Sequence, residues 1–537
     1  MKLKQIKIIP ALLMTAFLLT APLASCKDKK DPNYAPLLLL GLLPRAPAAP
    51  SGLSYTSPSH CTRGYPLANA SPTVTGTVTG YSIDPALPAG LSIDASTGVI
   101  GGAPSGDSSA LAYTITATNS GANTTAAFNL PECWRTRLLG VAGGSTDGSG
   151  ITADGSGNVY ATGYTTGNLD GQTLTGTRDM FVTKYDSSGV KQWTRLLGSA
   201  GVETWAHEIS ADGSGNVYAA GYTFGNLDGQ TAVGSVDMFL TKYDSSGVKQ
   251  WTRLLGIAGA ATFAYGATVD GSGNVYAAGY TSGNLDGETL TGTSDMFLTK
   301  YDSSVVRQWT RLLGTAGVTT SAFGVTADGA GNVYVTGYTD GNLDGQTLTG
   351  TRDLFVTKYN ASGVRQWTRL LGVAGVITYA QEVRLDAGSG DVYVTGFTEG
   401  NLDGQTLTGT RDMFLVKYNS FGVKQWTRLL GVAGGTTASR GTALDGSGNV
   451  YAAGRTTGNL DGQTLTGTWD LFVTKYNSSG VKQWTRLLGV AGAFSYAYGL
   501  APDGLGNVYA AGFTEGNLDG QTLTGTRDMF LTRMPEN

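Results

Sequence analysis

A single unit is repeated seven times between residue 134 and the C-terminus. Successive copies are marked by Thr-Arg-Leu-Leu-Gly, which ends at Gly140, Gly198, Gly256, Gly314, Gly372, Gly431 and Gly489. The spacing is 58 residues, except for one interval of 59. A fixed period of this length predicts a solenoid, a propeller or an array, because one such unit cannot bury its apolar face alone.

Each copy has the pattern of four short β-strands. In the first copy we predict strands at 150–153, 158–165, 180–185 and 190–197. The tetrapeptides Asp-Gly-Ser-Gly and Asp-Ser-Ser-Gly between them are tight-turn sequences, since Gly accepts positive φ and Asp hydrogen-bonds its own backbone. A longer loop, 166–176, separates the two middle strands. Four antiparallel strands per unit are typical of a propeller blade.

The composition agrees with an all-β chain. Gly accounts for 80 of the 537 residues and charged residues for 14%, against about 7% and about 25% in average proteins. Gly disfavours helices, and here it follows no every-third-residue rule, which excludes collagen. The apolar content of 41% is sufficient for a core. A net charge of −4 argues against a nucleic-acid partner, which requires a basic surface.

The two ends of the repeat region predict how the fold closes. The last copy ends with a third strand near 531–534, whereas a spare fourth strand at 135–140 precedes the first copy. A linear array would leave both sheet edges open to aggregation. Pairing of 135–140 with the last copy completes a seventh blade instead. We therefore predict an all-β, seven-bladed β-propeller that is closed by strand exchange.

The repeated unit also resembles a known family. Asp-Gly-Ser-Gly-Asn-Val-Tyr-(Ala/Val)-(Ala/Thr)-Gly-Tyr-Thr, followed by Asp-Met-Phe-(Val/Leu)-Thr-Lys-Tyr, is closely similar to the SBBP repeat of bacterial secreted proteins. Local departures are Asp391 for the turn Asn, Val305 for a hairpin Gly and Arg455 for the strand Tyr. The resemblance implies a seven-bladed β-propeller and an exported setting, but no established reaction.

The N-terminus has the features of an export signal. Basic residues precede an apolar stretch, 8–19, that is too short to cross a bilayer comfortably. Leu-Ala-Ser-Cys at 23–26 resembles the lipobox of bacterial lipoproteins, which implies removal of 1–25 and acylation of Cys26, for example with palmitate. The alternative is an ordinary secretory signal with a coincidental Cys. We expect 26–50 to be a lipidated tether in the bacterial outer membrane, facing the surface or the periplasm.

The region between the tether and the repeats is predicted to form a separate β domain. Residues 51–132 alternate strand-like runs with turn signals. The run from Tyr81 to Pro104 resembles the Ig-like (cadherin-like) domains of bacterial surface proteins, which implies a β-sandwich that acts as a spacer or adhesive unit. Cys61 and Cys133 flank this domain. An oxidising compartment favours a disulfide between them, and two free buried thiols are the alternative.

One acidic position recurs in the Asn-Leu-Asp-Gly loop of every copy. Asp and Asn oxygens suit Ca²⁺, although the loops lack the dense acidic series of a strong calcium loop. The simpler interpretation is a turn that repeats because the blade repeats, with no metal and no cofactor. The candidate Ca²⁺ ligands are Asp170, Asp228, Asp286, Asp344, Asp403, Asp461 and Asp519.

The copies differ most in the stretch that leads into the first strand of each blade. In a propeller this connection lies on the same face as the middle loop, around the channel mouth, and repeat scaffolds concentrate variation on the binding face. Aromatic residues there suit sugars or peptide side chains; packing between blades is the alternative. The predicted ligand-binding face comprises Trp205, His207, Glu208, Phe263, Tyr265, Phe323, Tyr379, Gln381, Glu382, Arg440, Phe494, Tyr496 and Tyr498.

Together these features predict a lipid-anchored binding or adhesion module of the cell envelope. We expect a monomer whose propeller, 133–537, presents one face to a protein or glycan ligand. The alternatives are an enzyme that acts on envelope polysaccharide or peptidoglycan, and a scaffold in envelope assembly. The sequence does not favour the enzyme alternative. His207 beside Glu208 is the candidate acid–base pair, but no recognisable catalytic triad, metal triad or phosphate loop accompanies it.

Overall fold

The structure, a computed structural model, describes residues 47–58 and 61–535. The predicted signal peptide, Cys26 and nearly all of the predicted tether lie outside the described residues. From Ala48 onward the chain forms one compact unit. It consists of β-strands, with one short 3-10 turn at Leu518–Gly520. In the described part of the chain, no helix is long and apolar enough to cross a membrane.

Eight short strands precede the propeller. They are β1 Ser51–Ser54, β2 Leu67–Ala70, β3 Thr73–Thr75, β4 Gly80–Asp84, β5 Leu91–Ile93, β6 Ile100–Gly102, β7 Leu111–Thr118 and β8 Asn123–Leu130. β7 pairs with β4 and β8, β6 pairs with β2 and β5, and β1 pairs with β3. Along β7, Tyr113, Ile115 and Ala117 alternate with less buried residues and face the core. The prediction of an Ig-like β domain is confirmed.

Twenty-eight strands form the propeller. They are β9 Thr136–Leu139, β10 Thr146–Ala153, β11 Val159–Thr165, β12 Asp179–Tyr185, β13 Lys191–Leu197, β14 Thr204–Ala211, β15 Val217–Thr223, β16 Asp237–Tyr243, β17 Lys249–Leu255, β18 Thr262–Val269, β19 Val275–Thr281, β20 Asp295–Tyr301, β21 Arg307–Leu313, β22 Thr320–Ala327, β23 Val333–Thr339, β24 Asp353–Tyr359, β25 Arg365–Leu371, β26 Thr378–Leu385, β27 Val392–Thr398, β28 Asp412–Tyr418, β29 Lys424–Leu430, β30 Thr437–Leu444, β31 Val450–Thr456, β32 Asp470–Tyr476, β33 Lys482–Leu488, β34 Ser495–Pro502, β35 Asn507–Thr514 and β36 Asp528–Pro535. From β10 to β33, each run of four consecutive strands is one antiparallel sheet.

The seventh four-stranded sheet joins the two ends of the repeat region. It has the order β34-β35-β36-β9, with Leu139 opposite Met529 and Leu138 opposite Phe530. The first strands of all seven sheets pack side by side, and β10 contacts both β14 and β34. The first strands therefore surround a central channel, and the all-β propeller prediction is confirmed.

Neighbouring sheets are also joined at their outer strands. The Trp193 ring lies over Gly247 of the next sheet, where an added Cβ would approach the indole to 2.7 Å. Arg195 Nε donates a hydrogen bond to the Gly247 carbonyl oxygen at 2.8 Å. Trp-Thr-Arg recurs in six of the seven outer strands. The same contact is therefore made between other neighbouring blades, as it is by Arg311 to Gly363 at 2.9 Å.

The Ig-like domain meets the propeller where the ring closes. Cys61 and Cys133 form a disulfide, three residues before β9 begins. The Arg533 guanidinium donates to the Trp134 carbonyl oxygen at 2.9 Å and to that of Cys61. Arg63 of the Ig-like region pairs with Asp519 at 2.6 Å. The Ig-like domain and the C-terminal strand β36 are therefore in direct contact at the closing sheet.

Candidate functional site

Each first strand carries a β-bulge at the same point. In β14 the register passes from Ala206 directly to Glu208, so that His207 is the extra residue. A bulge leaves one residue outside the ladder and bends the strand. Gly221 of the second strand faces this point, and a Cβ there would lie 1.8 Å from the Trp205 carbonyl oxygen. The bulge therefore requires the Gly that recurs in each second strand.

The seven bulge residues converge on the channel, and we call them the bulge ring. With Glu208 and Glu382 they line a cavity of about 30 Å³, which holds no more than a few water molecules. Six residue types occupy this one position in seven otherwise similar copies. They are Ser149, His207, Tyr265, Phe323, Gln381, Arg440 and Tyr498.

Aromatic side chains continue from blade to blade around part of the mouth. The ring centroids of His207 and Tyr265 are 4.7 Å apart, those of Tyr265 and Phe323 are 5.1 Å apart, and those of Phe323 and Tyr379 are 5.2 Å apart. The second strands add further rings, such as Tyr338 at 4.6 Å from Tyr379. Such a continuous surface offers apolar faces together with hydroxyl groups.

A buried charge cluster lies beside the bulge ring. Arg384 Nη1 is 2.8 Å from Glu382 Oε1, and its Nη2 is 3.9 Å from Glu208 Oε1. Burial and the charge of Glu382 raise the pKa of Glu208 to about 8. Burial also raises the pKa of Glu382, which Arg384 opposes. At neutral pH Glu208 therefore carries a proton, whereas Glu382 makes the shorter contact with Arg384.

His207 remains neutral in the same region. Burial, reinforced by the positive charge of Arg440, lowers the pKa of His207 to about 3. Its Nε2 is buried without a hydrogen-bond partner among the described residues. No hydrogen bond joins His207 to Glu208 in this part of the chain, so the structure does not assemble the two neighbours into an acid–base pair.

A second, larger cavity continues along the channel. It measures about 340 Å³, and Glu208 and Arg384 line it as well as Thr152, Thr268 and Thr326. Its described lining residues include no aromatic side chain. The Glu208–Arg384–Glu382 cluster thus separates an aromatic mouth from a channel section lined by small and aliphatic residues. The upper cavity is too small for a sugar ring, which disfavours catalysis by these carboxyl groups there.

The structure brings most of the predicted binding residues together but places them differently. The first strand of the first blade begins at Thr146 rather than at the predicted 150. The variable residues therefore lie within strands and not in the connections before them. The exception is Phe494, which precedes β34 and packs against Trp469 at 5.1 Å. The bulge explains the difference, because its extra residue interrupts the period-two alternation by which a strand is predicted.

The sequence pattern did not predict a role for three residues near the channel mouth: Ser149, Arg384 and Trp469. Alignment of the copies on the second-strand Gly would have placed Ser149 in the bulge ring. The same alignment shows Arg384 as the one charged residue at a position that otherwise has Thr, Ser or Ala. Trp469 likewise stands where the other copies have Arg, Val or Ser.

The predicted Ca²⁺ ligands are not brought together. Each lies in a tight turn with positive φ, as Asp170 does at 52° followed by Gly171 at 74°. Two successive residues of this kind form a type I′ turn, which favours Asp-Gly. Six of these carboxylates pair with a Lys or Arg of the outer strand, as Asp170 does with Lys191, and Asp519 pairs with Arg63. Across residues 47–58 and 61–535 there is no cluster of His, Cys, Asp or Glu that could hold a metal ion.

Two protein families match the chain. The β-propeller repeat family SBBP matches residues 134–170, 192–228, 250–286, 308–344, 425–461 and 483–519. A family described as "Putative Ig domain" matches residues 62–130. The fifth copy has no such match. It contains the inserted residue and Asp391, but its strands β26–β29 pair as in the other blades.

The curated relatives are distant. Regulatory protein FlaEY of Caulobacter vibrioides is 26% identical over 380 residues, which cover 61% of this chain and 38% of that protein. An uncharacterized WD repeat-containing protein of Acanthamoeba polyphaga mimivirus is 26% identical over 185 residues, 28% of this chain and 13% of that protein. The chain therefore spans less than half the length of these relatives.

Solved structures are similar only at a low level. Rhamnogalacturonan lyase YesW has a TM-score of 0.35 and 14% identity, covering 91% of this chain and 90% of that chain. A quinonprotein alcohol dehydrogenase-like protein from Bacteroides thetaiotaomicron has a TM-score of 0.28 and 12% identity, covering 72% and 97%. These scores are too low to transfer an activity. The repeat matches and the strand pairing show that the chain carries a β-propeller of SBBP repeats, with an Ig domain N-terminal to them.

Proposed function

We propose that the protein is a binding module whose protein or glycan ligand sits at the channel mouth, on the bulge ring and its aromatic surroundings. The observation that carries this proposal is the variation at the bulge. Positions that pack the blades together repeat with the blade, as Val159 does in all seven copies. The bulge position has six residue types, as expected when a ligand and not the fold selects the residue.

The proposal is tested on an array of glycans and extracellular proteins. We expect the full chain to bind, and Tyr265→Ala, Tyr379→Ala and Tyr498→Ala together to abolish binding. The matched control is Val248→Ala with Val306→Ala, two residues that are each 57% exposed in hairpins at the opposite end of the blades. Unchanged binding by a folded triple variant contradicts the proposal.

A second variant covers the case in which the triple variant does not fold. Phe224 is 45% exposed at the mouth, and its ring is 5.9 Å from Tyr222. Phe224→Thr introduces the residue found at this position in two other copies, so the fold is retained. We expect weaker binding on the array, and equal binding to the same ligand by this variant contradicts a site at the mouth.

We also propose that the protein is anchored in the bacterial cell envelope through an acylated Cys26. The lipobox-like sequence and the tether composition support this, and several acyl chains give stable membrane binding. Labelled palmitate should enter the wild-type protein and not Cys26→Ser, with Cys61→Ser as a cysteine control that remains labelled. Protease treatment of whole cells then distinguishes a surface from a periplasmic orientation. Labelling of Cys26→Ser contradicts the anchor.

A further inference from the structure

The sixth blade reverses an arrangement that other blades share. In four blades, an arginine in the loop before the third strand stacks on an aromatic ring of the second strand, as Arg178 does on Tyr164 at 5.2 Å. In the sixth blade the loop holds Trp469 and the strand holds Arg455, whose guanidinium is 3.7 Å from the indole centroid. The exchange moves the positive charge from the rim toward Tyr496, at 4.6 Å.

Acidic residues that accompany the rim arginines are absent from this point. Glu203 pairs with the rim arginine of the first blade at 3.3 Å, and Glu399 pairs with that of the fifth. The corresponding residues beside Arg455 are Phe494 and Thr457. The exchange of Arg and Trp therefore coincides with the loss of both acidic positions.

A second arginine of the same blade lies next to Arg455. Arg440, a member of the bulge ring, stacks on Tyr498 at 4.6 Å. Burial lowers the pKa of Arg455, and the charges of Arg440 and Arg411 add to this effect. Among the described residues, neither Arg440 nor Arg455 forms an ion pair, and Arg455 Nε is buried without a hydrogen-bond partner. Two partly buried cations without an anion are costly for the protein alone.

Carboxylates on nearby strands are already engaged. Glu382 binds Arg384 at 2.8 Å. Asp147 accepts a hydrogen bond from Tyr164 at 3.0 Å and pairs with Arg527 at 3.3 Å. The protein therefore offers two guanidinium groups at the mouth, and no carboxylate of the described residues lies within ion-pair distance of either. The charge of Arg440 only adds to that of Arg384 in opposing the raised pKa of Glu382.

We propose that Arg440 and Arg455 bind the carboxylate of an acidic sugar at the channel mouth. This inference rests on the proposed function, since it names the ligand class of the same mouth. The planar guanidinium matches the two oxygens of a carboxylate. Arg440 stacks on Tyr498 and Arg455 stacks on Tyr496, each at 4.6 Å, and Tyr496 is buried. The two rings therefore hold the guanidinium groups in place, and the guanidinium edges meet the ligand.

The depth of the site favours a sugar over an acidic peptide. Beneath the mouth, the bulge ring leaves only about 30 Å³, which cannot accept an amino-acid side chain. Peptide recognition generally depends on pockets for individual side chains. A sugar carboxylate can instead reach the two guanidinium groups from above the constriction.

The test is calorimetric titration of the full chain with trigalacturonate, its methyl ester and an oligoglutamate peptide. Arg455→Tyr restores the residue of four other blades, and Arg440→Gln introduces the bulge residue of the fifth. Arg178→Val is the matched control, because it replaces an ion-paired rim arginine by the residue of the next blade. We expect trigalacturonate to bind, with affinity about tenfold to a hundredfold lower in each of the first two variants and unchanged in the third.

Several outcomes overturn the inference. Equal affinity for the methyl ester, or unchanged affinity in Arg455→Tyr and Arg440→Gln, removes the role of the two arginines. Preferential binding of oligoglutamate makes the ligand an acidic peptide and not a sugar. If no acidic probe binds but a neutral ligand from the array requires the mouth, the anion site fails and the proposed function stands. If no ligand on the array depends on the mouth residues for binding, both the anion site and the proposed function fail.

Discussion

Two side chains at the channel, Glu208 and His207, have shifted pKa values because they are buried at the bulge of β14. Glu208 has a pKa of about 8 instead of 4.5, and His207 has a pKa of about 3 instead of 6.5. Between pH 4.5 and about 8, the folded state therefore keeps a proton on Glu208 that the unfolded chain has released. It also excludes a proton from His207 that the unfolded chain accepts below pH 6.5.

These shifts predict a stability that declines from pH 6.5 toward about 8. In this window His207 is neutral in both states, and the raised pKa of Glu208 makes the unfolding free energy fall as pH rises. The slope from one group is at most about 1.4 kcal/mol per pH unit. We expect Glu208→Gln to flatten the curve in urea unfolding experiments. Glu203→Gln on the rim is the control and should retain the wild-type slope, whereas parallel curves for wild type and Glu208→Gln contradict the assignment.

At the scale of the element, one buried aspartate organises the long loop of each blade. Asp295 begins β20 and is fully buried. Its two carboxylate oxygens accept hydrogen bonds from the backbone N–H groups of Thr291 at 2.7 Å and Gly292 at 2.8 Å. The Asp of Asp-(Met/Leu)-Phe therefore recurs in every copy because it anchors the loop. The other Asp of that loop, Asp286, lies at the turn and pairs with Arg307.

A pair of Asp→Asn changes in this loop separates the two roles. We expect Asp295→Asn to lower the unfolding free energy by about 1–3 kcal/mol, because the amide NH₂ group cannot accept a bond from the backbone N–H. Asp286→Asn should cost less than about 1 kcal/mol, since Asn tolerates positive φ and a surface ion pair contributes little. Denaturant unfolding measures both. Equal losses, or a Ca²⁺-dependent melting temperature that Asp286→Asn abolishes, contradict this interpretation.

At the scale of the whole molecule, the closing sheet and the Ig-like domain stabilise each other. The disulfide joins residues 72 positions apart and lies immediately before β9, the strand that completes the seventh sheet. The Arg533 and Arg63 contacts cross the same boundary. The Ig-like domain is therefore attached to the ring at its closing sheet.

Removal of this disulfide should destabilise the ring as well as the Ig-like domain. For a closed loop of 72 residues, the chain-entropy description predicts a loss of about 4 kcal/mol. We expect Cys61→Ser with Cys133→Ser to lower the melting temperature in calorimetry and to speed hydrogen exchange in β9 and β36. Cys26→Ser, the third cysteine, serves as the control. Unchanged exchange in the closing sheet shows that the disulfide acts on the Ig-like domain alone.

The agreement between sequence and structure differs along each blade. In the first copy, the last three predicted strands begin within one residue of Val159, Asp179 and Lys191. Their turns have distinctive Asp and Gly signals. The first strand begins four residues earlier than predicted because its bulge disrupts the alternation. The recurring Gly163 and its equivalents were the available signal, since an isolated Gly in a strand often marks a bulge.

The blade, its repetition, the closing strand and the positions at which the copies vary can all be deduced from the amino-acid sequence. These properties depend on local turn chemistry and on a regular period, both of which can be read along one chain. Three further properties emerge once the blades are assembled: the variable residues form a bulge ring, Glu208 shares Arg384 with Glu382, and two arginines of the sixth blade lack an ion-pair partner among the described residues. Charge pairing and burial depend on residues from different blades, and a one-residue bulge determines which side chains reach the channel.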